Sequence, residues 1–292
     1  MTEGIKEKEN RPGKLYLCAT PIGNLGDMTP RCVEILKSAD LIAAEDTRNS
    51  IRLLNHFDIR TPMTAYHEYN RFDKAEELVK KMLDGAIVAC ITDAGTPGIS
   101  DPGEVLAQRC IEAGIEVSSI PGASACISAL IISGLSTRRF RFEAFLPSEK
   151  KERQEILDNL KNDTATLIFY EAPHHLIKTL QDLLEALGDR KTAICKELTK
   201  LHESVLRTTL SAAVRHFEAE APRGEYVLVV EGQSPEVLKE EAREAYAGLS
   251  VEAHLARYLS EGLSRMDAMK RVAKDRGVSK REIYRELSRT ES

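Results

Sequence analysis

The chain has 292 residues, of which 42% are hydrophobic and 30% are charged, so it can bury a core and is not globally disordered. Its length suggests roughly two domains. No apolar run approaches the ~18 residues of a membrane span. The net charge of −5 excludes a uniformly basic nucleic-acid coat protein, so any contact with nucleic acid is expected to use local basic patches.

Six cysteines are scattered along the chain without a C-x-x-C pair, in segments with strand-like or helix-like apolar patterns. Reduced thiols that act as small buried hydrophobes are typical of this arrangement. Since disulfides belong to oxidising compartments, we predict a cytoplasmic protein. Neither an H-E-x-x-H motif nor a Cys/His cluster is present, so no metal is predicted. The sequence also lacks the glycine-rich fingerprints of dinucleotide-binding folds and P-loop NTPases.

The first half of the chain alternates between strand and helix patterns. The polar start, 1–13, is predicted to be a flexible tail. Thr29 and Pro30 open a helix, because Thr is a preferred N-cap and Pro fits the first helical position. Further helices are predicted at 72–83 and 123–132, and strands at 15–19, 41–44, 62–66, 86–91 and 115–120. This alternation predicts an α/β domain over 14–134 with a mostly parallel sheet.

A second alternating unit follows a polar, basic stretch at 135–139, which we interpret as a hinge. A mixed sheet is expected here, in a second α/β domain over 135–232. Its helices are predicted at 149–160, 174–187 and 211–218, and its strands at 165–170, 192–196, 205–208 and 226–231.

The end of the chain is predicted to be a linker over 233–250 and a small all-helical extension over 251–292. Ser264 and Ser279 can cap two helices separated by Gly277, which resembles a helix-turn-helix. Between 262 and 290 there are nine Lys/Arg and four Asp/Glu, a local charge of +5. A capping bundle and an RNA-contacting module both remain open, with Lys280 and Arg281 as candidate contacts. One buried seam is predicted for Met266, Met269, Val272, Ile283, Tyr284 and Leu287.

The most informative loop, 92–103, follows the most apolar strand and reads T-D-A-G-T-P-G-I-S-D-P-G. Ligands of open α/β sheets bind at the carboxyl ends of strands. Glycines there let the backbone approach a ligand closely, and Asp93 can accept hydrogen bonds from a ribose or an amino group. Asp101 can instead serve as a helix cap before Pro102. The density of Gly and Pro nevertheless favours a binding loop.

Other loops of the first domain follow strand ends in the same way. They are T-P-I-G-N-L-G at 20–26, E-D-T-R at 45–48, and P-G-A-S-A at 121–125, where small residues open a helix and favour an anion. In the second domain, charged groups follow strand ends at 170–175 and 196–203 and precede the last strand at 223–226. Together they suggest one wall of a cleft that faces the first domain, although each alone is also typical of a solvated turn.

These motifs resemble the tetrapyrrole methylases, and within them the subfamily that methylates ribosomal RNA of the small subunit. The similarity spans about 13–231, and the helical end of the chain resembles that subfamily's extension. The motifs are A-T-P-I-G-N-L-G-D, A-E-D-T-R, T-D-A-G-T-P-G-I-S-D-P-G, P-G-A-S-A, Y-E-A-P-H, K-E-L-T-K-x-H-E and R-G-E-Y-V-L-V-V.

The resemblance implies a homodimer that binds S-adenosyl-L-methionine in a cleft between two α/β domains. It also implies 2′-O-methylation of a cytidine ribose in the decoding region of 16S rRNA in the small ribosomal subunit. One departure is His175, where the subfamily often has Arg; this would make a phosphate contact weaker or pH-dependent. The implied cofactor-binding residues are Pro21, Ile22, Asp93, Ala94, Gly95, Gly122, Ala123, Ser124, Ala172 and Gly224.

The chemistry requires a proton acceptor for a poorly acidic ribose hydroxyl and groups that hold phosphates. The candidate catalytic residues are Glu45, Asp46 and Glu171, with His174 as a proton shuttle. Two other functions stay open: C-methylation of a tetrapyrrole precursor on the same scaffold, and a non-catalytic role in ribosome assembly. Candidate RNA contacts, besides the two at the C-terminus, are Arg48, Arg138, Arg139, Lys196 and Arg223.

Overall fold

The computed structural model describes residues 13–290. The predicted tail lies outside the described residues up to residue 12. Gly13 is not part of a tail, because it is buried and a Cβ there would lie 1.8 Å from the carbonyl oxygen of Met82. Over this range no helix is both long enough and apolar enough to cross a membrane. All six cysteines are buried and free, which confirms the prediction of buried thiols.

The first lobe, 13–134, is built on a five-stranded parallel sheet with the strand order β3-β2-β4-β1-β5. Every residue of the central strand β4 is buried, because apolar clusters cover both faces of the sheet. The strands are β1 (Lys14–Cys18), β2 (Leu41–Ala44), β3 (Met63–Ala65), β4 (Ile87–Ile91) and β5 (Glu116–Ile120). The helices are α1 (Pro30–Ser38), α2 (Thr47–His56), α3 (Arg71–Leu83), α4 (Gly103–Glu112) and α5 (Ala125–Ser133).

Two helices of this lobe, α1 and α2, begin at side-chain caps that the sequence offers. Thr29 Oγ1 accepts a hydrogen bond from the Cys32 N–H at 3.2 Å, and Pro30 is the first residue of α1, as predicted. Asp46 caps α2 by accepting from the Arg48 N–H at 2.8 Å. These two caps fix where the loops after β1 and β2 turn into helices.

The second lobe, 135–232, has a mixed five-stranded sheet with the order β6-β7-β10-β8-β9, in which only β6 and β7 are parallel. The main core lies under α6–α8, and a smaller apolar cluster joins the other face to α5 of the first lobe. The strands are β6 (Phe140–Ala144), β7 (Thr166–Glu171), β8 (Lys191–Lys196), β9 (Ser204–Thr209) and β10 (Tyr226–Val230). The helices are α6 (Lys150–Leu160), α7 (Leu176–Leu187) and α8 (Leu210–Ala219).

Strand β6 was not predicted from the sequence. It lies at the edge of the sheet and its first residues are exposed, but its run F-R-F-E-A alternates apolar and polar residues, which is the strand signal that we missed. A register shift between Phe142 and Ala144, with a positive φ of 53° at Ala144, interrupts the strand.

The C-terminal bundle consists of four helices within the described part of the chain. The segment predicted as a linker contains α9 (Pro235–Ala247), whose start is capped by Ser234 through the Glu236 and Val237 N–H groups. We did not predict this helix because the segment is highly charged. All of its described side chains are at least partly exposed. The other helices, which were expected, are α10 (Val251–Ser260), α11 (Arg265–Asp275) and α12 (Lys280–Thr290).

The seam between the last two helices was only partly predicted correctly. Met269, Val272, Ile283 and Leu287 are buried together. Met266 and Tyr284 are 59% and 65% exposed, so their assignment to the seam was wrong. Each lies at a position that follows the apolar periodicity but faces away from α10 and the other helices of the bundle.

Candidate functional site

A cleft of about 550 Å³ opens between the two lobes, and we call it the interlobe cleft. The first lobe lines it with the loops that follow β1, β2, β4 and β5, all at the carboxyl edge of the parallel sheet. The second lobe lines it with the ends of β7, β8 and β10. This is the edge where open α/β sheets bind ligands.

The loop after β4 is fixed by backbone hydrogen bonds and by one carboxylate. Thr20 and Gly95 pair through N–H···O bonds of 2.9 and 3.1 Å, which join the loops after β1 and β4. Asp101 accepts from the N–H groups of Gly98 and Gly103 at 2.9 and 2.8 Å, and from a third N–H at Ile99. Burial raises the pKa of Asp101 above its ordinary value. Its hydrogen bonds account for Asp101 as a residue that shapes the loop.

Gly95 supplies a backbone shape that side chains disfavour. Its φ is +86°, and a Cβ there would lie 3.2 Å from Ile22 Cγ2 and 3.6 Å from the Ala123 carbonyl oxygen. The loop can therefore approach Ile22 and Ala123 closely only with glycine at this position.

Two carboxylates meet at the first-lobe wall of the cleft. Glu45 Oε2 accepts from Thr92 Oγ1 at 2.6 Å and from the Asp93 N–H at 3.3 Å. Burial raises the pKa of Asp93, and the nearby negative charge of Glu45 raises it further. Glu45 and Asp93 thus form an acidic pair that lines the cleft.

Asp46 faces a different partner. Its carboxylate accepts two hydrogen bonds from the Arg48 side chain, at 3.1 and 2.8 Å, besides the one from the Arg48 N–H. This pairing lowers the pKa of Asp46 to about 2. The backbone N–H of Asp46 donates a hydrogen bond to Asp93 Oδ1 at 3.2 Å, which helps to hold the Asp93 carboxylate in place.

In the second-lobe wall, both oxygens of Glu171 are engaged within the lobe. The carboxyl group is buried, with 6% of the residue exposed, and accepts from the Ala172 N–H at 2.8 Å and from the Thr179 hydroxyl. Tyr170 OH accepts from the Cys126 N–H at 3.2 Å, which ties this wall to α5. Burial raises the pKa of Tyr170 above its ordinary value.

The cleft brings together most, but not all, of the residues that the sequence singled out. His174 is exposed, lies outside the lining and contacts His175 with ring centroids 4.1 Å apart. The predicted residues that line the cleft are Ile22, Glu45, Asp93, Ala94, Gly95, Ser124, Glu171 and Ala172.

Four predicted cofactor residues lie behind the lining or beside it. A Cβ on Gly122 would lie 2.8 Å from Ala19 Cβ, so this glycine allows β1 and the loop after β5 to touch. The Ala123 carbonyl accepts from Thr96 Oγ1 at 2.9 Å. Gly224, with φ +84°, abuts the Glu197 side chain, and Pro21 precedes the lining residue Ile22.

The predicted RNA contacts are spread over the surface rather than gathered at one place. Arg48, at the start of α2, has 88% of its side chain exposed and is paired with Asp46. Lys196 is half-buried at the end of β8. The remaining five are exposed in the segment before β6, in the loop before β10 and at the start of α12: Arg138, Arg139, Arg223, Lys280 and Arg281.

Several lining residues were missed from the sequence. Tyr170 belongs to the Y-E-A-P-H motif, but we did not predict it as a site residue. Its position beside Glu171 at the end of a strand could have indicated that it lines the cleft. Phe145 follows β6, the strand that was not predicted. Leu198 and Val227 belong to the apolar wall, and nothing separates them in the sequence from ordinary core residues. Among residues 13–290, no group of three or more His, Cys, Asp or Glu side chains could hold a metal ion.

Comparison with known proteins identifies the family. Residues 14–214 match the model of the Tetrapyrrole (Corrin/Porphyrin) Methylases. The chain is 48% identical over 284 residues to ribosomal RNA small subunit methyltransferase I of Halalkalibacterium halodurans, covering 97% of both chains. It is 47% identical over 273 residues to the protein of the same name from Synechocystis sp., covering 93% of this chain and 96% of that one.

A solved structure shows the same fold at lower identity. Uroporphyrin-III-C-methyltransferase from Thermus thermophilus superposes with a TM-score of 0.54 at 19% identity, covering 76% of this chain and 94% of that chain. The match confirms the expected two-lobed α/β fold. Together with the family model and the relatives at nearly half identity, it shows that the chain belongs to the tetrapyrrole methylase family, in the ribosomal RNA small subunit methyltransferase I group.

Proposed function

We propose that the chain is a methyltransferase that acts on ribosomal RNA of the small subunit. Its methyl donor is S-adenosyl-L-methionine, and its acceptor is the 2′-hydroxyl of a cytidine ribose in the decoding region of 16S rRNA. The observation that carries the proposal is the interlobe cleft, which lies at the carboxyl edge of the parallel sheet and is lined by the glycine-rich loop after β4. The names of the relatives supply the substrate class.

The residues of the cleft fit this donor. The acidic pair of Glu45 and Asp93 offers oxygens to ribose hydroxyls and to an ammonium group. Gly95 leaves open the space that a side chain would fill, and Ile22, Leu198 and Val227 provide apolar surface. When bound, the donor supplies an electrophilic methyl group on a sulfonium whose positive charge disappears during transfer.

The protein's own contribution is positioning and proton acceptance. Glu45 is our first candidate for the proton acceptor, because Thr92 and the Asp93 N–H hold its carboxylate at the cleft. Asp46 is a weaker candidate since Arg48 neutralises it, and Glu171 is weaker since Thr179 and Ala172 occupy its oxygens. His174 lies outside the lining. Apolar residues among the lining, such as Ile22, Leu198 and Val227, lower the local polarity, which strengthens the polar contacts beside them.

Other parts of the proposal concern partners. We propose that the enzyme works as a homodimer, as the resemblance implies, and light scattering at enzymatic concentrations tests this. We further propose that Arg48, Lys196 and Arg223 contact phosphates of the RNA. Alanine variants should then show a weaker salt dependence of RNA binding, by about one unit of slope for each lost contact.

The decisive experiment incubates the purified chain with labelled donor and either 30S subunits or a tetrapyrrole precursor. We expect label in the 16S rRNA, and mass spectrometry of nucleosides should then find 2′-O-methylcytidine. Label in the tetrapyrrole alone would replace the proposal with C-methylation. Binding to 30S subunits without any product would indicate a non-catalytic assembly factor. If calorimetry detects no donor binding, the interlobe cleft is not a donor site and the proposal is wrong.

A further inference from the structure

A second cleft, of about 770 Å³, lies between α6 and α7, and we call it the helix cleft. It adjoins the interlobe cleft, because Phe145, Glu171 and Ala172 line both. Its volume lies within the ~300–1,000 Å³ of typical small-molecule sites. The protein therefore offers two connected spaces, of which the methyl donor would occupy only one.

A buried hydrogen-bond network forms the floor of the helix cleft. Arg153 donates through Nε to Asp182 and through Nη2 to Thr179, each at 2.7 Å. Thr179 in turn donates to Glu171, which accepts the Ala172 N–H. The network runs from the floor of one cleft to the wall shared with the other. Because its buried polar groups are paired, the floor is rigid before any ligand arrives.

Phe145 stands where the two clefts meet. Its ring packs edge-to-face on Tyr170 with centroids 5.6 Å apart, yet 55% of the residue is exposed. A large aromatic ring that is held in place and still exposed at a concave site is suited to stacking on a planar group. Unpaired nucleobases are bound in this way, and stacking tolerates any base.

The rim of the helix cleft is suited to a phosphate. Asp182 is shared by two cations, Arg153 and Lys178, so these three side chains together carry a net charge of +1. The Lys178 side chain is 71% exposed, and Lys150 and His175 are exposed beside it. Glu171 and Glu185 also line the cleft, so carboxylates balance the cations over the whole lining, and the free positive charge is confined to the exposed rim at Lys150 and Lys178. Exposed cations next to a recess are the usual means of holding a nucleic-acid backbone.

We propose that the helix cleft receives the nucleotide that is methylated, with its base stacked on Phe145 and its phosphate near Lys150 and Lys178. This inference rests on the proposed function. The 2′-hydroxyl of a stacked nucleotide faces the shallow minor groove of an RNA helix, whereas the interlobe cleft is recessed. A nucleotide that enters this cleft therefore leaves the stack, at a cost that a binding site for its base offsets. The ribose then lies at the junction of the clefts, with its 2′-hydroxyl toward the donor.

The test measures single-turnover methylation of 30S subunits by the full chain and four variants. Ser148 lines only the helix cleft and is exposed, so Ser148→Trp fills that cleft without touching the donor side. Its matched control is Ser38→Trp, at the exposed end of α1 on the opposite edge of the first sheet. We expect Ser148→Trp to slow methylation at least tenfold at subsaturating 30S while donor affinity by calorimetry stays within about twofold of the Ser38→Trp control.

The Phe145 variants test the stacking itself. Phe145→Ala should slow methylation about tenfold or more, whereas Phe145→Tyr, which keeps the ring, should restore most of the rate. Methylation by Ser148→Trp at the rate of Ser38→Trp would overturn the inference, and so would equal rates for Phe145→Ala and wild type. If the wild type is active and these variants are equally active, only this inference is contradicted. If the wild type methylates no small-subunit RNA, the proposed function is contradicted as well.

Discussion

Gly95 is the residue on which the shape of the loop after β4 depends most directly. Its φ of +86° and the 3.2 Å approach of its absent Cβ to Ile22 exclude a branched side chain. We predict that Gly95→Val lowers donor affinity at least tenfold and destabilises the fold by roughly 1–3 kcal/mol, because the loop must move to relieve the strain. Calorimetry and thermal unfolding measure the two effects.

The matched control for this change is Gly114→Val. Gly114 also has a positive φ, +73°, but nothing lies within 4 Å of its Cβ position, and it precedes β5 on the edge away from the cleft. It should lose a similar amount of stability through backbone strain and bind the donor normally. Equal affinities for the two variants would contradict a specific role for Gly95.

The acidic pair of Glu45 and Asp93 predicts how donor binding depends on pH. Because burial and the charge of Glu45 raise the pKa of Asp93, its carboxylate is protonated, and loses accepting capacity, at a higher pH than an ordinary aspartate. Donor affinity should therefore fall as the pH drops through this raised pKa. Glu45→Gln removes one cause of the shift and should move the midpoint to lower pH, as measured by calorimetry across the acidic range.

The same shift has a consequence for stability. A carboxyl group whose pKa is raised by folding costs free energy once the pH rises above its unfolded value, because the folded state disfavours the charge. Asp93→Asn should therefore stabilise the free protein near neutral pH while weakening donor binding. A variant that loses both stability and binding would indicate that Asp93 holds the loop rather than the ligand.

At the scale of elements, the pairing of α6 with α7 depends on Arg153. The side chains of Arg153 and Asp182 are 15% and 11% exposed, so their ion pair is largely buried. We predict that Arg153→Met costs roughly 2–3 kcal/mol of unfolding free energy, less than for an isolated buried pair because Lys178 still faces Asp182. Lys178→Met, at the exposed end of the same cluster, should cost under about 1 kcal/mol. Urea denaturation compares them, and equal losses would contradict the assignment of the buried pair.

Helix α12 gives a test of whether the C-terminal bundle contacts RNA. Lys280 and Arg281 are exposed at its start. If they contact phosphates, the double variant Lys280→Glu/Arg281→Glu should weaken 30S binding about tenfold or more and reduce its salt dependence, with the rate at saturating 30S preserved. Unchanged binding would identify the bundle as a structural cap.

Elements with strong local signals were predictable, and those defined by tertiary contacts were not. The loop after β4 was identified because an ordinary turn at a strand end rarely needs so many Gly and Pro residues, and Thr29 and Ser264 marked their helices correctly. Strand β6 and helix α9 were missed, since one is an exposed edge strand and the other lies in a highly charged segment with no fully buried described side chain. Phe145 was missed for the same reason: it directly follows β6, and without that strand nothing in the sequence marks it as a residue at a strand end.

For the whole molecule, the lining of the interlobe cleft ends at Val227, before the C-terminal bundle. We therefore predict that a chain ending at residue 234 still folds and binds S-adenosyl-L-methionine, whereas one ending at residue 225 does neither, because it lacks β10. Circular dichroism and calorimetry on the two truncations measure this. Loss of donor binding in the longer truncation would show that the bundle stabilises the lobes.

The position of β10 also determines when this enzyme can form during its synthesis. The first sheet is complete once β5 has been made, since its five strands are the first five in the chain. The second sheet is different, because its central strand, between β7 and β8, is the last to leave the ribosome. Until then β7 and β8 have open inner edges that can pair with other chains. Because β10 ends at Val230 of a 292-residue chain, the second lobe stays incomplete, with unpaired strand edges, until about four-fifths of the chain has been translated.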